Sequence, residues 1–86
     1  MKTNKFFYTY ILLSTKDGNR YVGSTDDLVA RMKEHSIGHV ASTKNRRPLE
    51  LIYYEACLSR LGARKREIYL KTTWGKRYLS SRTTIS

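Results

Sequence analysis

From Phe6 to Leu13 the side chains alternate: Tyr8, Tyr10 and Leu12 fall on one side of an extended strand, and Phe7, Thr9, Ile11 and Leu13 on the other. Lys16-Asp17-Gly18-Asn19 carries turn residues and Arg20–Ser24 reads as a short second strand, so the opening segment predicts a β-hairpin. Ser24-Thr25-Asp26-Asp27 then offers a capping hydroxyl and two acids for the positive first turn of a helix. That helix reaches about His35, with Leu28 and Met32 facing inward. The polar, basic stretch Ser36–Pro48, which includes Gly38, predicts a long exposed loop. Leu49–Ala56 is a third strand, Leu51 and Tyr53 alternating with Ile52 and Tyr54. Ser59 caps a second helix ending near Lys71, with its apolar positions Leu61, Ile68 and Tyr69 near one face. Thr73 caps a short last helix carrying Trp74, Tyr78 and Leu79, after which residues 80–86 are expected to fray. The order β-β-α-β-α-α predicts an α+β fold: a small three-stranded antiparallel sheet with helices packed against it.

A chain of 86 residues suits one domain, 1–86, with an ordered core over about 6–79 and a modest hydrophobic interior. No apolar run approaches the ~20 residues of a membrane span, so no membrane partner is expected. Tyr8, Thr9 and Tyr10 interrupt the first apolar stretch, and no small-residue cleavage pattern follows, so it reads as a strand and not a leader. A single cysteine, Cys57, makes neither an internal disulfide nor a zinc site alone. It reads as a small core residue, consistent with a reducing, cytoplasmic setting.

Charge changes the picture. Seventeen Lys and Arg against seven Asp and Glu give a net charge of +10, and residues 44–86 hold eleven of the bases but three of the acids. Such an excess repels itself in a compact state and points to a polyanionic partner. Seven tyrosines beside that charge suit nucleic acid, without separating DNA from RNA or binding from cleavage.

Several site types are missing from the sequence: a glycine-rich phosphate loop, HExxH, and a Ser-His-Asp spacing. Acids are too scarce for a two-metal site built on several carboxylates. What remains is tyrosines on a hairpin, Arg31 and His35 one helical turn apart on one face, and Glu67 within a basic helix. By themselves these have plain readings. Arg31 is a solvated charge, Glu67 an ion-pair partner of Arg64 or Lys71, and the tyrosines are cross-strand residues. His39 lies on the loop as surface, and Gly23 suggests close approach of backbone to a helix or substrate.

Tyr8-Thr9-Tyr10 on the first strand and Tyr21-Val22-Gly23 on the second resemble the paired signature of the GIY-YIG nuclease superfamily. Arg31 follows Tyr21 by ten positions and His35 follows by four more. Glu67 lies on the helix after the third strand, where that family keeps a metal-binding carboxylate. The resemblance runs from about Phe7 to Tyr78 and is nearest to small stand-alone bacterial members, through Ser42-Thr43-Lys44, Arg47-Pro48-Leu49 and Tyr53-Tyr54-Glu55. Tyr8 replaces the first glycine of the signature and Val22 its isoleucine.

The resemblance implies an endonuclease hydrolysing phosphodiester bonds, with DNA ahead of RNA and structure ahead of sequence as the target. Its catalytic residues would be Tyr10, Tyr21, Arg31, His35 and Glu67. Glu67 would bind Mg²⁺ or Mn²⁺, an ion that accepts one protein carboxylate and fills its other positions with water and phosphate. Either Tyr10 or Tyr21 would prepare the water, helped by His35. Lys44, Arg46, Arg47, Arg64, Lys65, Lys76 and Arg77 would contact phosphates, which positions nucleic acid without reading it. A monomer or weak dimer is expected, with a protein partner supplying specificity. Two other readings stand beside it: a nucleic-acid-binding module of the same fold with little activity, and a structural or assembly protein whose basic face meets RNA or an acidic protein.

Overall fold

The computed structural model describes residues 5–83. Its strands are β1 (Phe7–Ser14), β2 (Arg20–Thr25) and β3 (Leu49–Cys57), and its helices α1 (Leu28–Ser36), α2 (Arg60–Leu70) and α3 (Thr73–Thr83). The sheet order is β2-β1-β3 with both pairings antiparallel. The central strand is the most apolar because both its faces are covered, and Thr9 through Leu12 are all buried. Gly18, at φ +73, makes the hairpin turn that a side chain would resist.

Helices α2 and α3 cover one face. Ile11, Val22, Leu70 and Leu79 form its core, with Ile52, Tyr53 and Tyr78 packed against them. Burying each such aliphatic side chain stabilises the fold by about 1.5–3 kcal/mol. The Thr9 hydroxyl donates to the Ala63 carbonyl at 2.9 Å, a contact that the small Ala63 side chain permits. Arg66 ties the layers together: it pairs with Glu55 of β3 at 2.6 Å and lies over the Tyr78 ring of α3. On the opposite face α1 lies beside Leu12, Leu49 and Leu51, with Met32 and His35 lining a cavity of about 400 Å³ between them.

Several local expectations are corrected. Asp27 itself caps α1, accepting from the Ala30 N–H at 3.1 Å, because β2 continues through Thr25 and occupies the expected hydroxyls. The segment before β3 is not simply exposed. Val40 and Thr43 are buried, Lys44–Arg46 forms a 3₁₀ turn, and the Ser14 hydroxyl pins that turn by donating to the Arg46 carbonyl. In β3 a bulge breaks the alternation. Tyr53 pairs with Ile11 but Leu51 with Leu12, so Ile52 and Tyr53 both reach the α2–α3 core while Leu51 turns to α1.

On α2 the inner face is Ala63, Glu67 and Leu70, and the bulky Leu61, Ile68 and Tyr69 are exposed. Close packing on β1 and β2 selects the face with the small residue. Thr72, not Thr73, caps α3 by accepting from the Gly75 N–H at 3.2 Å. The helix continues through Ser80 to Thr83, held by buried Leu79, while residues 84–86 of the expected fraying segment lie outside the described residues.

Helix α3 approaches the end of α2 at Gly75, where a Cβ would collide with the Tyr69 carbonyl and the Leu70 Cα. Both obstacles are backbone, so the helix itself must move. Gly75→Ala is therefore expected to destabilise the protein by about 1–3 kcal/mol despite alanine's better helix propensity. The measurement is the urea midpoint at unchanged m-value. A midpoint equal to wild type or above it would show that the helices separate freely.

Candidate active site

Tyr10 stands opposite Gly23 across the hairpin. A Cβ at Gly23 would lie 2.5 Å from both the ring Cζ and the hydroxyl of Tyr10. The glycine thus makes room for the Tyr10 ring, and not for a helix or substrate as the sequence suggested. The ring is fully enclosed, so its hydroxyl needs partners within the protein.

Helix α1 supplies them. Arg31 and His35, one turn apart, both reach the Tyr10 hydroxyl: the Arg31 Nε–H donates at 3.4 Å, and His35 Nε2 lies at 2.8 Å. His35 is buried, with Nδ1 2.7 Å from the Thr43 hydroxyl, which in turn reaches the Val40 carbonyl at 3.5 Å. With the Thr43 hydroxyl donating to Val40, its oxygen accepts from Nδ1–H, leaving Nε2 to accept the phenol proton. The chain of donors runs in one direction, from Arg31 through Tyr10 and His35 to the backbone. Burial, then the neighbouring Arg31 charge, holds the His35 pKa below its usual value, with Glu34 opposing. Burial likewise pushes Tyr10 up, opposed by the Arg31 hydrogen bond, with the Tyr21 and Glu67 charges adding to the rise. At neutral pH the pair is thus a neutral phenol on a neutral imidazole.

Tyr21, from β2, packs its ring 6.4 Å from that of Tyr10 and 5.4 Å from that of His35. It is half-buried, and among the described residues its hydroxyl makes no hydrogen bond. The two tyrosines therefore differ: one has its hydroxyl saturated inside the protein, while the other keeps its hydroxyl available.

Glu67 comes from α2, on the other side of the sheet. Its Oε1 accepts from the Ser24 hydroxyl at 2.7 Å and from Arg64 at 3.2 Å, and its Oε2 accepts from Lys71 at 2.9 Å. It lies on the inner face of α2 between Ala63 and Leu70, 6% exposed. Burial would raise its pKa, but the Ser24 and Lys71 hydrogen bonds and the Lys71 and Arg64 charges hold it below the usual carboxylate value. Ser24 follows Gly23, so the ionised carboxylate is held one residue from the point where Tyr10 crosses β2.

Four separate elements thus meet around one strand crossing, and the whole span matches a profile of the GIY-YIG catalytic domain over residues 6–79. The chain belongs to the GIY-YIG family. It is 40% identical over 72 residues to the UPF0213 protein YazA of Bacillus subtilis, covering 83% of this chain and 71% of that one. Against the UPF0213 protein SH2523 of Staphylococcus haemolyticus the identity is 41% over 66 residues, covering 76% and 79%. The solution NMR structure of the UPF0213 protein BH0048 from Bacillus halodurans superposes with a TM-score of 0.54 at 34% identity, covering 88% of this chain and 83% of that one.

GIY-YIG nucleases generally require a divalent metal ion. No group of three or more His, Cys, Asp or Glu side chains able to hold one gathers among the described residues. The donor chemistry at Glu67 nevertheless fits: a hard, ionised oxygen ligand whose Oε2 is covered by a flexible, half-exposed lysine. Mg²⁺ or Mn²⁺ binds such single carboxylates when water and phosphate complete its shell.

The expected phosphate contacts divide into two groups. Lys44, Lys65, Lys76 and Arg77 are exposed without an acidic partner among the described residues. The other three already have contacts within the protein. Arg46 pairs with Asp17 at 2.9 Å and holds its carboxyl at about 2, Arg47 donates to the carbonyls of Lys44 and Ser36, and Arg64 pairs with Glu67. Sequence reasoning found two supporting partners, Arg64 and Lys71, which pair with Glu67 at helical spacing. It missed two others: Ser24 was legible in part, directly after the Tyr-Val-Gly signature, but nothing in spacing marks Thr43 as the partner of His35.

A depressed histidine pKa fixes the sign of a pH effect. The unfolded chain binds the His35 proton more readily, so its contribution is complete above about pH 6.5 and is lost as pH falls through the lower folded value. Stability by urea titration is expected to fall between pH 7.5 and 5.5, and the fall is expected to shrink in His35→Gln, which keeps a donor and an acceptor. Equal slopes in the two proteins would place the effect elsewhere.

Proposed function

We propose that the protein is a metal-dependent endonuclease hydrolysing phosphodiester bonds in nucleic acid, with DNA as the favoured substrate and structure ahead of sequence as the determinant. One observation carries this reading: an arginine, two tyrosines and a histidine converge on the Tyr10–Gly23 crossing, and Ser24 holds an ionised carboxylate beside it.

The residues divide the work by exposure. Arg31 stays charged, and its guanidinium uses only some of its N–H groups on Tyr10 and Glu34. The rest can hold a phosphate and offset the charge that grows on it. Tyr21, with an uncommitted hydroxyl, orients the attacking water. Tyr10 and His35 are enclosed and act through position, Tyr10 fixing the Arg31 side chain and His35 fixing Tyr10. Glu67 would hold Mg²⁺ or Mn²⁺, which when bound supplies positive charge to the scissile phosphate. Lys44, Lys65, Lys76 and Arg77 position the backbone without reading bases. Specificity would come from a partner protein, and the setting proposed is cytoplasmic. No helix among the described residues is long and apolar enough to cross a membrane.

A second reading is a binding module with little activity. What favours it is that both oxygens of Glu67 already have cationic partners. Glu67→Gln separates the two, because the amide keeps the shape that a buried position requires and loses the charge that a cation requires. Mg²⁺-dependent cleavage of varied DNA and RNA structures is expected to vanish in this variant, with nucleic-acid affinity unchanged or slightly higher. Full activity would remove the carboxylate from the chemistry, and no cleavage by wild type on any substrate would favour the binding module.

The tyrosines give a second test. Tyr10→Phe leaves Arg31 and His35 without a buried partner and is expected to cost about 1–3 kcal/mol of stability. Tyr21→Phe breaks no hydrogen bond within the described residues, so stability is expected to change by less than about 0.5 kcal/mol. The turnover rate of Tyr21→Phe is nevertheless expected to fall on the order of 10²-fold. An unchanged rate would move the water to another group.

A further inference from the structure

On the edge of the sheet, β2 and the hairpin turn face the junction of α2 and α3 across a groove of about 650 Å³. That volume is within the range of about 300–1,000 Å³ typical of ligand sites. Three cations line it, Arg20, Lys71 and Lys76, above an apolar floor that includes Leu13 and Leu79, and no carboxylate is among its lining residues. Arg20 and Lys76 have no acidic partner among the described residues. Other cations of the described residues, Lys44, Lys65 and Arg77 among them, also lack an acidic partner, but they do not line this groove. An unbalanced cluster around a concave surface raises the local potential and attracts an extended anion.

The groove is also joined to both halves of the candidate active site. Tyr21 lines it and packs against His35, while Lys71 lines it and donates to Glu67 at 2.9 Å. An anion lying in the groove would therefore emerge between the tyrosine and the carboxylate. We infer that this groove is a binding lane for the sugar–phosphate backbone of the nucleic-acid strand on one side of the cleaved bond, with Arg20, Lys71 and Lys76 as its phosphate contacts. The inference rests on the nuclease reading for its direction but concerns binding alone. It adds Arg20 to the interface and separates Lys76 from the dispersed surface cations. Lys71 has two places to go: onto Glu67 in the free protein, or onto a phosphate in the lane, which would uncover Oε2.

The test compares two variants of equal charge, Arg20→Gln/Lys76→Gln in the groove and Lys33→Gln/Arg82→Gln outside it. Affinity for a labelled DNA oligonucleotide is measured by fluorescence anisotropy across a salt series in EDTA, so that no cleavage is needed. Each lost phosphate contact removes about 0.7–0.9 from the slope of log affinity against log salt. The groove variant is expected to lose about 1.4–1.8 from that slope and to bind about tenfold or more weakly at low salt, while the control keeps the wild-type slope. Equal slopes in both variants would overturn the lane. If the slopes differ as expected but wild type never cleaves with Mg²⁺, the lane stands and the nuclease reading fails. If wild type cleaves and the groove variant keeps its slope, the lane alone fails. Absence of salt-dependent binding by wild type would remove both.

Discussion

A phenol hydroxyl removed from water without a partner costs more than most single contacts return. Tyr10 is fully enclosed in the centre of the sheet, and its hydroxyl has two places to turn, both on α1. Satisfying it places Arg31 and His35, and satisfying His35 in turn places Thr43 and the Val40–Arg46 segment. The ring can reach that position only because Gly23 presents no side chain. One buried polar group thus determines the seat of a helix, the path of a loop and the identity of a residue on the neighbouring strand. It does so through hydrogen bonds that become stronger where water is excluded.

The element order was legible because each segment has a clear period and a recognisable start. Burial was legible only where propensity and packing agree. On α2 three bulky residues suggested an inner face that the molecule leaves outside, since β1 accepts the helix only along Ala63, Glu67 and Leu70. In β3 the exchange of Leu51 and Ile52 between faces comes from a bulge, and alternation alone cannot announce an extra residue. The residues of the candidate site were legible through family spacing and not through physical pattern. Of their supports, Arg64 and Lys71 were legible as helical ion-pair partners of Glu67, but Ser24 and Thr43 meet their partners through folding, 43 and 8 residues away.

Glu67 and Tyr10 show two solutions to the same difficulty. The tyrosine is neutral, and hydrogen bonds suffice to bury it. The carboxylate is charged, and it is accompanied by a hydroxyl, a guanidinium and an ammonium. Two of those companions are long side chains with exposed heads, which can leave when something of higher charge arrives. A buried anion served by movable cations is stable alone and remains exchangeable. A buried anion served by fixed cations would be stable and closed.

The Ser24–Glu67 contact has a consequence for how the molecule is made. Synthesis runs from the amino end, so the hairpin and α1, bearing Tyr10, Tyr21, Arg31 and His35, leave the ribosome well before α2. A nascent chain at that stage carries most of the proposed chemistry but lacks its carboxylate. The missing group arrives only when α2 docks across the sheet and closes a contact spanning 43 residues. Under the proposed activity, the site is complete only once α2 has been made and has docked on the sheet.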